Sequence, residues 1–251
     1  MTLHVEECMG TVFTIDIRDA GAWAEAIGEA VAWLHHVDAV FSTWKDGSDI
    51  SRIRRDELAV EDADPDVAPV LALCEAVELE TAGWFTAFAG GELDPTGLVK
   101  GWAIERASRL LRAHGSGNHT VNGGGDIQLA GEAAAGRPWT VGISDPLDPS
   151  RLVTTVTGRD FAVATSGVAE RGAHIVNPHT GAPAEDLAAV TVVGRSLTRV
   201  DAYATAAFAM GPDALRWIEA VPGHGAFVVF PDGTAACTSR FLRPAGPPRL
   251  V

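Results

Sequence analysis

Residues 11–17 (TVFTIDI) alternate apolar and polar side chains, the period of a strand with one buried face. Across residues 20–41 the apolar positions Trp23, Ile27, Val31, Leu34 and Val37 recur at helical spacing, so a strand leads into a long helix. Residues 41–51 (FSTWKDGSDIS) are polar and turn-rich, and 54–65 read as an acidic connector. Helical spacing returns over 67–82 and again over 97–113, where Gly115 supplies the stop. The second half changes period. Short strand-like runs at 120–127, 139–143, 152–157 and 161–164 are separated by Gly, Pro and Asp. Buried strands are expected at 189–193 and 226–230, with helices over 200–210 and 212–221 between them, and 130–136 (AGEAAAG) as a hairpin tip. This order is not a regular βαβ alternation. It predicts an α+β fold, a single domain over 1–251 with lobes at about 1–115 and 116–251 and mixed or antiparallel sheets flanked by helices.

The 251 residues, 47% of them hydrophobic, suffice for a substantial core. No apolar run approaches the roughly 20 residues that span a bilayer, and the first sixteen residues lack an export pattern, so a cytoplasmic chain without a membrane span is expected. Cys8, Cys74 and Cys237 show no metal or disulfide spacing and are expected to be reduced core thiols. The net charge of −14 argues against nucleic acid. A small anionic ligand is compatible with it only if a metal, backbone N–H groups or one placed cation offsets the charge locally.

Four segments carry candidate chemistry. The glycines of Asn122-Gly123-Gly124-Gly125-Asp126 permit either an anion-binding concavity or a tight hairpin turn. In 94–101 (DPTGLVKG), Asp94 or Thr96 suits a helix N-cap, while Lys100 sits against the helix dipole and invites an anionic partner. The segment Thr165-Ser166-Gly167 is followed by His174, just before an apolar pair, and by His179; an imidazole there can exchange a proton near neutral pH. Asp201 and Thr205, four apart in an otherwise apolar helix, share one face. A carboxylate there must be paired, capping or metal-bound, and this oxygen pair suits Mg²⁺ beside substrate phosphates.

Taken in order, Met9-Gly10-Thr11, FSTWKDGSDISRI, LDPTGLVKGWAIE, VNGGGDIQLAG, ATSGVAERGAHIVNPHTGAP and VTVVGRSLTRVDAYATAAFAMG resemble the ApbE family of FAD:protein FMN transferases along nearly the whole chain. The resemblance implies that Met9 and Trp44 flank the isoalloxazine ring and that Asp94 contacts the adenosine side of FAD. It places Lys100 near the diphosphate and Ile175 near the ring system. It puts Thr86, Gly124 and Ser166 in the cofactor pocket, and gives the metal ligands as Asp201, Thr205 and the Gly97 carbonyl. Trp44 stands where the family usually has tyrosine, Arg54 where it often has asparagine, and Thr86 where aspartate is common; the stretch from Gly83 to Asp94 is shortened. Family members are commonly exported lipoproteins, so this chain reads as a short form or one whose leader has been removed.

The activity implied is Mg²⁺-dependent transfer of FMN from FAD to a Thr or Ser hydroxyl of an acceptor protein with release of AMP, with His174 and Asp201 as catalytic candidates. FAD hydrolysis to FMN and AMP, or flavin binding without turnover, are the alternatives.

Overall fold

The computed structural model describes residues 1–168 and 175–241. Among these, one antiparallel sheet dominates, in the order β1-β2-β3-β4-β7-β8-β9-β10: β1 Thr2–Cys8, β2 Thr11–Ile17, β3 His119–Gly123, β4 Asp126–Ala130, β7 Ala162–Gly167, β8 Ala189–Gly194, β9 Gly225–Val229 and β10 Ala235–Cys237. A separate hairpin joins β5 Trp139–Asp145 to β6 Asp148–Gly158. Strands from both halves of the chain share the large sheet, because β2 pairs with β3 (Phe13↔Gly123 to Ile17↔His119). Helices α1 Ala24–Phe41, α3 Val67–Glu80, α4 Thr96–Ala113 and α5 Leu197–Met210 bury their apolar stripes in one large core, and α2 Asp49–Arg54 and α6 Ala214–Ala220 are shorter. Helices on an antiparallel sheet make this α+β, as the sequence predicts.

Three expectations change. Residues 120–127 form two strands, not one, since Gly124 and Gly125 (φ 58° and 91°) make a two-residue turn with both residues left-handed, which only glycine adopts without cost. The polar segment after α1 contains α2, whose start is capped by Ser48 Oγ accepting from the Ser51 N–H at 3.1 Å. Cys237 is exposed on the edge strand β10, whereas Cys8 and Cys74 are buried as expected.

Strand β1 is absent from the sequence reading for a physical reason. Its alternation is inverted: Leu3 and Val5 point to solvent, and the inward-facing His4 and Glu6 are paired with each other and, through Glu6, with His35 of α1.

Where α4 meets β3, His119 is fully buried between Ser108 Oγ (2.8 Å) and Ser116 Oγ (2.9 Å). Burial pushes its pKa down to about 4 from an ordinary 6.5. The folded state therefore holds the ring neutral while the unfolded chain protonates it first. Stability from this site is complete above pH 6.5 and is lost as pH falls toward 4, by roughly 3 kcal/mol in all. Urea unfolding at pH 7 and pH 4.5 should show that loss, and His119→Gln should flatten the pH dependence within this window.

Candidate functional site

The site is built where α4 crosses α5. The crossing is close because residue 101 lacks a side chain: a Cβ there would lie 2.5 Å from the Leu197 carbonyl oxygen and 2.7 Å from Asp201 Cβ. Two side chains from other elements fix the start of α5. Glu105 of α4 accepts from Ser196 Oγ (2.6 Å), Thr198 N (3.0 Å) and Thr198 Oγ1 (2.6 Å), and Gln128 of β4 accepts from the Leu197 N–H at 3.1 Å. Burial works against the Glu105 carboxylate, but these donors hold it below its ordinary range. The far side of α5 is tied to α3 by Glu80, which accepts from Tyr203 Oη (2.6 Å) and pairs with Arg199 (2.9 Å).

Asp201 lies inside α5, four residues after its first, so the N-capping alternative does not apply. Its carboxylate is buried and accepts the Gly101 N–H at 2.9 Å. In a regular helix that N–H serves the carbonyl of residue 97. Burial drives the Asp201 pKa up to about 7, the Lys100 ammonium pulling against it and the Asp126 charge adding to it. Thr205 is one turn on, and Gly97 packs against it: a Cβ at 97 would sit 3.7 Å from Thr205 Oγ1.

Asp126 completes the cluster. It is 1% exposed, accepts the Thr165 N–H at 3.0 Å on Oδ1, and forms an ion pair with Lys100 through Oδ2. The anionic partner that Lys100 invites is thus, here, a carboxylate of the same chain. Sequence reasoning passed over Asp126 as a site residue because its partners lie 26 residues back and 39 ahead, and no local pattern marks that pairing. The neighbouring glycines form the hairpin turn that delivers it. Their N–H groups are already donated within the protein, Gly124 to the Val12 carbonyl (3.3 Å) and Gly125 to Asn122 Oδ1 (3.0 Å). These bonds favour the hairpin reading of the triple glycine over the anion concavity.

The remaining predicted residues fall in three places. Asp94 terminates the loop before α4: its Oδ1 accepts from Thr96 N (3.0 Å) and Thr96 Oγ1 (2.6 Å), while Arg54 pairs with its Oδ2 (3.7 Å) and donates to the Leu93 carbonyl. Thr86, in the same shortened loop, accepts from the Phe88 N–H at 3.2 Å. Met9, with φ 49°, and Gly10 form the two-residue β1–β2 turn, and Trp44 stands 93% exposed in the α1–α2 loop. Lys45, next to Trp44, pairs with Asp38 of α1 at 2.6 Å, and Cys8, next to Met9, lies against His35 of the same helix at 3.7 Å. Ser166 is buried on β7. Ile175 is also buried, and its carbonyl accepts from Ala184 N at 2.9 Å. His174 lies outside the described residues. His179 packs edge-on to Trp84, ring centroids 4.5 Å apart.

The donor set suits a hard divalent cation. Two buried carboxylates share one ammonium, and a hydroxyl and a backbone segment adjoin them, all oxygen chemistry of the kind Mg²⁺ takes.

A family model described as ApbE family matches residues 9–91 and 86–228. A protein named FAD:protein FMN transferase from Treponema pallidum (strain Nichols) is 36% identical over 163 residues, 57% of this chain and 45% of that one. One of the same name from Vibrio cholerae (strain O395) is 31% identical over 131 residues, 48% of this chain and 39% of that one. The chain therefore spans less than half the length of these curated relatives. The solved structure of the flavin transferase ApbE from Vibrio cholerae superimposes with a TM-score of 0.83 over 96% of this chain and 97% of that one at 22% identity, a likeness of fold. The apo flavinyl transferase ApbE of Pseudomonas stutzeri gives 0.81 over 98% and 97% at 25% identity.

Proposed function

Since the chain belongs to the ApbE family, we propose that it transfers the FMN half of FAD to a serine or threonine hydroxyl of an acceptor protein and releases AMP. The observation that carries this reading is the buried carboxylate cluster at the α4–α5 crossing, whose oxygens suit a divalent cation that would in turn offset the charge of a diphosphate. Asp201, Thr205 and the Gly97 carbonyl would hold Mg²⁺, and the bound ion would offset the negative charge that builds on the diphosphate as it breaks. The names of the curated relatives, FAD:protein FMN transferase, support FAD as substrate and a protein as acceptor.

The chain's own residues bind and orient. Trp44 and Met9 offer a flat ring and a polarisable side chain, one on each face of the isoalloxazine. Asp94, fixed by Thr96 and Arg54, addresses the adenosine side, and Ser166, Ile175, Thr86 and Gly124 shape the pocket. The Lys100 ammonium lies near the diphosphate and lowers its charge. In the transfer, an acceptor hydroxyl oxygen bonds to the FMN phosphorus as the bond to the bridging oxygen breaks. That oxygen leaves with AMP, and His174 is our candidate to take the hydroxyl proton.

The test is incubation with FAD, Mg²⁺ and a candidate acceptor. Covalent flavin fluorescence on a denaturing gel, with AMP in equal amount, is expected. AMP and free FMN without labelled protein would indicate hydrolysis, and no AMP would leave only binding. A second expectation concerns affinity. Trp44→Ala should weaken FAD binding about tenfold while Trp44→Phe stays near the parent, since stacking contributes on the order of 1–3 kcal/mol; flavin fluorescence titration measures both.

A further inference from the structure

We propose that Asp126 is a positioning residue: it holds the Lys100 ammonium to one side and so keeps the Asp201 carboxylate open to a divalent cation. The inference rests on the cation site proposed above and assigns a role to a residue outside that ligand set.

The argument begins with two adjacent residues of α4. Lys100 gives its charge to Asp126, while the next residue, Gly101, gives its N–H to Asp201 at 2.9 Å. Consecutive groups on one helix thus serve different carboxylates, one on β4 and one on α5. The Lys100 charge also reaches Asp201. An ammonium free to turn to Asp201 would neutralise the group that a cation needs, and a cation would have to displace it.

The fold holds Asp126 where it prevents this. The Gly124-Gly125 turn starts β4 at Asp126, which is paired across the hairpin with Gly123. The Thr165 N–H, from β7, secures Oδ1 at 3.0 Å, leaving Oδ2 directed at the ammonium. The Asp126 carboxylate is 1% exposed, so its charge is screened little by bulk water and draws the partly exposed Lys100 ammonium strongly. Asp126 also lies against the Asp201 carboxylate itself, so the test must separate an effect through Lys100 from a direct one.

Mn²⁺ is the probe, with affinity read by titration calorimetry on the intact protein and folding followed by thermal melts. Asp126→Asn keeps the acceptor for Thr165 and removes the charge. It is expected to weaken Mn²⁺ binding about tenfold or more. Adding Lys100→Met removes the competitor, and the double variant should recover to within about threefold of the parent. Unchanged affinity in Asp126→Asn overturns the inference. So does a double variant as weak as the single one, because Asp126 would then act on the cation directly. If Asp126→Asn does not fold, Lys100→Met alone decides: binding at least as tight as the parent supports the role, and weaker binding overturns it. Asp201→Ala separates the two levels. Should it bind Mn²⁺ like the parent, or should the parent bind none, the cation site itself fails and the inference with it.

Discussion

Asp201→Ala should lower AMP release from FAD, in the presence of Mg²⁺ and an acceptor, by at least about 100-fold. The side chain is the buried carboxylate of α5 at the crossing, and its loss removes the charge around which the proposed cation site is arranged. The fold should survive. The carboxylate is buried at a cost, visible in its raised pKa, so deleting it relieves one penalty while leaving the Gly101 N–H without that acceptor. Steady-state AMP release with a circular dichroism melt checks both halves. A purified variant that labels an acceptor at the parent rate would show that the ion is held elsewhere.

Gly101→Ala is expected to do more damage with a single methyl group. The added Cβ would meet the Leu197 carbonyl oxygen at 2.5 Å, a backbone atom at the anchored start of α5, and Asp201 Cβ at 2.7 Å. Neither neighbour is the free end of a flexible side chain. Leu197 is held by Gln128, and the residues on either side of it by Glu105, so the helices must move apart. Overpacking against backbone falls at the upper end of the usual range, about 3 kcal/mol, which for a chain of this size lowers the melting temperature by roughly 6–12 °C. Activity should fall with it, since the same displacement carries Asp201 away from Gly97. Gly115→Ala, whose Cβ would meet nothing within 4 Å, is a useful contrast at a helix end, although its φ of 93° carries its own strain.

These two positions also show what a sequence can and cannot reveal. Asp201 and Thr205 were legible because one helix places them a turn apart and an apolar segment makes a carboxylate conspicuous. Gly101 drew no notice, for its meaning lies in a helix 96 residues later in the chain. The same holds for Asp126 and Glu105, whose partners are set by the sheet order and the helix crossing. Among elements, α1, α3, α4 and α5 followed from their periodicity within a few residues. The β3–β4 turn was legible in its glycines, although the 120–127 run around them reads as a single strand because apolar residues flank them on both sides. Strand β1 escaped because Leu3 and Val5 face outward, the reverse of the usual pattern.

The hydrogen bond from Gly101 to Asp201 joins residues 100 apart, and Lys100 to Asp126 and Thr165 to Asp126 add two more long ties. Such ties close large loops, whose entropic cost the surrounding packing must offset. Any ion or nucleotide that binds across the cluster fastens α4, β4 and α5 together at once. Its binding energy would then also be folding energy, and the solute's concentration would help set how firmly the chain stays folded.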